Sequence, residues 1–272
     1  MSTILLGSAL LLYIASSGVL AHSFARGRDR PARSGTWLAA GGVALHGTAL
    51  AAFTATHGEL PLVGLAPSLA TLGFLIGVFL LVTTVASESR PVGLVLLPLI
   101  ALLTALSLIL GLHPTGAALA FRGVWFAFHV LAALVGYAGL TMAFAAGLLY
   151  LLQFRELKRK RLGRIFRYFP SLPTLDLLGR SAVAIGFPAL TLALLLGWAW
   201  TVRFQNSFVP GNPQVIWGVC TWIAFIGVIA ARSAGSAGRE RRGAAASVFA
   251  FLGVVILYVV LRLSLVAGPL FL

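Results

Sequence analysis

Long runs of apolar residues, separated by short polar connections, extend along almost the whole chain. A hydrocarbon core about 30 Å thick requires about 20 apolar residues in a spanning helix, and eight runs approach or reach this length. The runs are continuous and lack the alternation of membrane β-strands. We therefore predict an all-α polytopic integral membrane protein with eight transmembrane helices, near residues 3–21, 36–55, 64–86, 92–111, 124–153, 181–202, 214–231 and 245–266.

The composition supports this fold class. Of the 272 residues, 60% are hydrophobic and only 10% are charged, whereas a soluble domain has about a quarter of its residues charged. No polar stretch is long enough to form a separate soluble domain, so we expect a single transmembrane domain over residues 1–272. The single cysteine, Cys220, excludes an intrachain disulfide and a thiolate metal cage.

The placement of the basic residues predicts an orientation. Seventeen of the twenty Lys and Arg residues fall in the connections after the first, third, fifth and seventh spans. The positive-inside rule then predicts that both termini face outward. The first span lacks a preceding basic region, which indicates a retained helix rather than a signal peptide. The net charge of +14 is therefore interpreted as a topology signal and a contact with the lipid bilayer, not as a nucleic-acid surface.

The only sizeable inner loop, residues 155–180, is strongly basic at its start, and we expect its first residues to extend the fifth helix into the cytoplasm. The predicted spans contain no Asp, Glu or Lys. Because proton- and ion-coupled transporters usually need a carboxylate within the membrane, this pattern disfavours a pump. A small-molecule transporter is therefore a hypothesis that this pattern disfavours as well.

Histidines are the main candidates for chemistry. His46 lies near the middle of the second predicted span, where an imidazole must be paired or ligated. It would either form a helix–helix hydrogen bond or act as an axial ligand of haem iron. His129, near the outer end of the fifth span, is either an interfacial histidine or a haem ligand. The neighbouring Trp125, Phe126 and Phe128 favour the ligand hypothesis.

The outer loop 203–213 is polar and precedes Trp217 and Trp222. One interpretation is a solvated hairpin beside an interfacial aromatic belt. The other is a platform for a planar apolar ligand, with Arg203 or Arg122 available for haem propionates.

Several motifs together resemble one known family. They are Trp125–Val130, Gly136-Tyr137, Gly147–Gln153, Leu172–Arg180, Gly186–Thr191, Asn212–Trp217 and Thr221-Trp222. In order and spacing they are similar to cytochrome c assembly proteins of the CcsA/HemX type, with residues 124–267 as the region that resembles the assembly core. The first four spans are similar in hydropathy, with His46 in a HemX-like position.

The resemblance implies a membrane protein of cytochrome c biogenesis that binds haem b, or helps to present it, at the outer face of a bacterial-type inner membrane. It implies that His129 ligates the haem iron and that His46, Trp217 and Trp125 contribute to cofactor binding. The tryptophan-rich motif is degenerate: the family's Asp is Asn212, and its Lys-Glu pair is Gln214-Val215. The resemblance also places a second outer histidine near residues 268–272, where this chain has none.

Two functional hypotheses follow. In the first, the chain handles haem by positioning it rather than by catalysing bond formation, and a partner subunit of an assembly complex supplies the missing axial ligand. In the second, the chain is a haem-free structural or regulatory subunit of a membrane complex, docked through its basic inner loop 155–180.

Overall fold

The structure, a computed structural model, describes residues 1–27, 31–87, 89–114, 123–160, 163–202, 213–233 and 238–264. In these ranges the chain is α-helical apart from a 3-10 turn, Arg90–Val92, and short connections, and it contains no strand. The α-helices are α1 (Ser2–Ala25), α2 (Arg33–His57), α3 (Leu65–Ser87), α4 (Gly93–Leu110), α5 (Gly123–Lys158), α6 (Arg164–Tyr168), α7 (Leu172–Trp200), α8 (Pro213–Ser233) and α9 (Arg239–Ser264). All except α6 are long and apolar enough to cross a membrane, which confirms the predicted all-α fold with eight transmembrane helices.

The helices extend furthest beyond the apolar runs at three places. Helix α5 continues to Lys158, as expected for the start of the basic loop. Helix α9 begins at Arg239 rather than near 245. Helix α7 begins at Leu172 rather than 181, because the Ser171 hydroxyl accepts a hydrogen bond from the Thr174 amide at 3.4 Å and caps the first turn. The helix therefore includes Asp176, which precedes the predicted span 181–202.

Two groups of four helices form the bundle. In the first, α1 packs against α2 and α4, and α3 packs against α4. In the second, α5 packs against α7 and α9, and α8 packs against α9. The contact of α3 with α5 joins the two groups, and one hydrophobic core runs through both.

Glycines bring the helices of the second group into close contact. A Cβ at Gly139 of α5 would lie 2.8 Å from the Cα of Gly186 in α7. A Cβ at Gly147 would lie 2.7 Å from the Ala244 carbonyl oxygen in α9. Small residues at such contacts allow helix backbones to pack closely in a membrane, so α5 is held firmly between its two neighbours.

Because successive spans are antiparallel, the polar residues separate into two ends. One end contains His57, His113 and His129, and we call it the histidine end. The other end contains Arg26, Arg90 and most of the remaining basic residues, and we call it the basic end. The orientation predicted for these ends, with the histidine end outside, stays a prediction.

At the basic end, the short α6 connects the two groups of helices. The buried Tyr168 hydroxyl donates a hydrogen bond to the Leu20 carbonyl at 3.1 Å. The ring of Phe169 stacks on Phe24 with centroids 5.8 Å apart. Tyr168 and Phe169 thus pack against the end of α1.

Candidate functional site

His129 lies in the second turn of α5 at the histidine end, half-buried against α7. Its Nδ1 atom lies 2.7 Å from the Ala193 carbonyl oxygen. Because a carbonyl oxygen can only accept a hydrogen bond, Nδ1 must carry the proton. In the neutral ring the lone pair is therefore on Nε2, which is the arrangement that a metal-ligating histidine requires.

Gly197 provides the space for this ring. A Cβ at Gly197 would lie 2.7 Å from Cε1 and 3.2 Å from Nδ1 of His129. The space at Gly197 fixes the position of the imidazole. The carbonyl of Ala193, one turn earlier in α7, fixes its tautomer.

Aromatic side chains of the first turns of α5 lie near His129. The Trp125 indole donates from Nε1 to the Leu196 carbonyl at 3.1 Å. Phe126 lies 6.3 Å from the His129 ring, between centroids, and makes an edge-to-face contact with Trp200 at 6.4 Å. The structure thus brings two of the predicted site residues, Trp125 and His129, onto the same face of α7.

Trp217 lies in a different part of the second group, near the start of α8. It stacks on Tyr137 with centroids 4.3 Å apart, and its Nε1 donates to the Val254 carbonyl at 3.3 Å. Tyr258 packs against the same indole at 5.1 Å. These contacts connect α5, α8 and α9, and none of them involves His129. The cofactor-binding role of Trp217 stays a prediction.

His46 is fully buried among the first four helices. Its Nδ1 lies 3.2 Å from the Tyr13 hydroxyl, and the edge of its ring contacts Phe74 at 5.8 Å between centroids. Its Nε2 has no hydrogen-bond partner within the described part of the chain. These contacts match the helix–helix hydrogen bond considered above, with tyrosine as the partner. They place His46 and His129 in different groups of helices. A cofactor-binding role for His46 also stays a prediction.

The other two histidines at the histidine end contact residues close to them in the sequence. His57 ends α2, with Nδ1 at 3.0 Å from the Phe53 carbonyl. His113 follows α4 and packs beside Gly111, where a Cβ would lie 2.5 Å from its Nε2. Arg122, Arg203 and residues 203–212 of the predicted ligand platform lie outside the described residues.

Sequence reasoning missed a buried ionic cluster at the basic end. Asp176 of α7 is 7% exposed and accepts from Arg232 of α8 at 2.6 Å and from Arg180 at 3.1 Å. Arg232 is itself only 12% exposed. Gly179 and Gly243 leave the space for its guanidinium, since a Cβ at either would lie within 3.0 Å of that side chain. The cluster connects α7, α8 and α9. Its sequence signal was the cap at Ser171, which places Asp176 inside the helix.

The site at His129 fits a haem iron ligand by its donor chemistry. The ring presents an unprotonated Nε2, its other nitrogen is held by a carbonyl, and aromatic rings that suit a porphyrin lie beside it. In the described residues, no group of three or more His, Cys, Asp and Glu side chains could hold a bare metal ion. A single imidazole beside aromatic rings suits an iron that already has its porphyrin nitrogens.

Known proteins show similar sequences. Residues 61–266 match the model of a family described as "Cytochrome C assembly protein". This range includes α3 and α4 as well as the second group of helices, so the similarity begins well before Trp125.

Several curated relatives carry the name cytochrome c biogenesis protein CcsA. The protein of Mesostigma viride is 25% identical over 167 residues, which is 54% of this chain and 53% of the relative. That of Guillardia theta is 25% identical over 155 residues, 52% of this chain and 50% of the relative. That of Chlamydomonas reinhardtii is 28% identical over 106 residues, 39% and 29% of the two chains. The chain thus spans about half, or less, of the length of these relatives. Since the family model covers well over half of the chain, the chain belongs to the cytochrome c assembly protein family.

Proposed function

We propose that this chain acts in cytochrome c biogenesis and that His129 ligates haem iron at the histidine end. The observation that carries the proposal is the hydrogen bond from His129 Nδ1 to the Ala193 carbonyl at 2.7 Å. This bond leaves Nε2 as the acceptor nitrogen. In other metal sites, the hydrogen-bond partner of a ligating histidine fixes its tautomer and ring orientation in the same way. Membership of the family supports the process in which the ligand would act.

Haem b, when bound, supplies the iron and the vinyl groups that are joined to cysteine thiols in a c-type cytochrome. The residues of this chain hold and orient it. His129 would provide a nitrogen ligand to the haem iron, and Trp125 would provide an apolar ring beside it. The chain acts by positioning, not by making bonds itself.

The rigidity of the site comes from α7. The carbonyls of Ala193 and Leu196 fix His129 and Trp125, respectively, and both lie within one turn of that helix. Gly139 and Gly186 hold α5 and α7 together below the site. A ligand set on two closely packed helices keeps its geometry better than one on loops.

Two finer points belong to the same proposal. The histidine end is assigned to the outer face of a bacterial-type inner membrane, because the basic residues collect at the other end. A further ligand to the haem iron would come from a partner subunit of the assembly machinery.

Absorption spectroscopy of the detergent-purified chain tests the proposal. Oxidised and dithionite-reduced spectra are recorded before and during titration with hemin. We expect a Soret band that shifts on reduction. In His129→Ala, we expect hemin affinity to fall by more than roughly 100-fold. Loss of only the hydrogen-bond partner of a metal ligand already lowers metal affinity by about 10–100-fold.

His57→Ala is the matched control, because His57 lies at the same end and its Nδ1 also faces a backbone carbonyl, at 3.0 Å. It should bind hemin as the wild type does. No Soret band in the wild type, even with excess hemin, would contradict the proposal and favour the haem-free structural or regulatory subunit. Equal losses in both variants would show that His129 has no special role.

A further inference from the structure

A cavity of about 340 Å³ opens between α1 and α2 at the basic end. Ala15, Gly18 and Val19 of α1 form its apolar wall. His22, Ser23 and Ser34 also line the cavity and contribute polar atoms. This volume is at the small end of the range for ligand sites, roughly 300–1,000 Å³, and the cavity is separate from the site at His129.

The apolar wall lies on the membrane-facing side of a close helix contact. The Ser16 hydroxyl donates to the Gly35 carbonyl at 2.7 Å, which holds α1 and α2 together beside the cavity. On the cavity side, Ala15 and Gly18 are exposed, and a Cβ at Gly18 would meet no atom within 4 Å. The apolar wall is therefore open on this side of the two helices.

The other part of the cavity is polar and flanked by positive charge. His22 and Ser34 are exposed, as are Arg26 and Arg33 beside them. On α2, one turn beyond Ser34, the indole of Trp37 is 76% exposed. Tryptophans in this position typically lie at the level of the lipid headgroups.

We propose that this cavity binds one anionic phospholipid of the surrounding bilayer. Its phosphate would lie between His22 and Ser34, with Arg33 completing the charge complementarity. One acyl chain would follow the apolar wall past Gly18 toward the middle of the membrane. A basic, polar site beside an apolar wall fits a lipid with an anionic headgroup and an acyl chain. Anionic headgroups are attracted to arginines near the membrane surface. The bound lipid would fill the gap that the two helices leave.

Native mass spectrometry of the full chain, released from detergent, tests this proposal. The protein is titrated with palmitoyl-oleoyl phosphatidylglycerol and, separately, with phosphatidylcholine carrying the same acyl chains. We expect the first phosphatidylglycerol to bind about tenfold more tightly than the first phosphatidylcholine. Arg33→Gln should reduce this preference by roughly fivefold.

Gly18→Leu fills the cavity beside the apolar wall from the position where the protein leaves open space, and it should abolish the preferred adduct. Gly7→Leu is the matched control, since it lies on the same helix outside the cavity and also meets no atom within 4 Å. A thermal melt that coincides with the wild type confirms that each variant is folded. Equal affinity of the wild type for the two lipids, or a Gly18→Leu protein that binds phosphatidylglycerol as the wild type does, would overturn the proposal.

Discussion

Replacing Gly197 with alanine would bring a methyl group against the imidazole of His129. The added Cβ would lie 2.7 Å from Cε1 and 3.2 Å from Nδ1, whereas carbon atoms in contact prefer separations of about 3.5–4.0 Å. Since Gly197 is on the firmly packed α7, the ring of His129 must move away by about 1 Å. A movement of this size would stretch the 2.7 Å bond to the Ala193 carbonyl beyond hydrogen-bond distance.

The expected consequence is a loss of haem affinity rather than a loss of fold. Without the carbonyl, the tautomer and orientation of His129 are no longer fixed, and loss of such a partner lowers metal affinity by about 10–100-fold. The steric cost to the fold should be about 1–3 kcal/mol, as for other overpacked sites, and the half-buried ring can relieve part of it.

The assay is a hemin titration of the purified Gly197→Ala protein, followed at the Soret band, with a thermal melt in the same detergent. Gly227→Ala is the control, because a Cβ there meets no atom within 4 Å. If Gly197→Ala binds hemin as tightly as the wild type while His129→Ala does not, the argument from the fixed tautomer is wrong. A large shift in the melt would instead point to a structural role for the glycine.

Three further predictions concern the helix contacts. Asp176→Asn leaves the buried Arg232 without its carboxylate, and the variant should lose about 3–5 kcal/mol of stability, roughly 10 °C in a detergent melt; an unchanged melt would contradict the buried ion pair. Gly139→Ala should cost about 1–3 kcal/mol in the same assay, whereas Gly253→Ala, with open space around it, should stay within about 0.5 kcal/mol; equal effects would refute the close contact. Burial raises the pKa of the Tyr168 phenol above its ordinary value of about 10. The neutral, hydrogen-bonded phenol therefore stabilises the folded protein below about pH 10, and this stabilisation is lost as the pH rises through the raised pKa. Tyr168→Phe should therefore melt earlier than the wild type at pH 8, with a smaller difference at pH 11, and a constant difference would refute the role of the hydroxyl.

The sequence predicted the spans well because the bilayer itself sets their length. The eight apolar runs each became a helix, and the errors occur where a helix leaves the apolar region. At Leu172, the cap by Ser171 and the proline that follows it start the helix in polar sequence. The polar first turns are then stabilised by contacts such as Asp176 with Arg232, which are far apart in the chain and cannot be found by hydropathy.

The candidate site was predicted in part for a similar reason. The aromatic residues around His129 are its neighbours in sequence, so the cluster was recognisable from the sequence of α5. The Ala193 carbonyl and the space at Gly197 come from another helix, and no local pattern indicates which residues of α7 face α5. For His46, the sequence indicated that a buried partner was needed, but the partner, Tyr13, is on a different helix.

The most direct test of the account is the yield of c-type cytochromes in cells that lack this chain. Haem covalently attached to cytochromes is measured in those cells and in cells that carry the wild type, His129→Ala or His57→Ala at equal membrane levels. We expect the wild type and His57→Ala to restore cytochrome c maturation and His129→Ala not to restore it. Normal maturation without the chain would contradict a role in cytochrome c biogenesis, and full rescue by His129→Ala would contradict the proposed haem ligand.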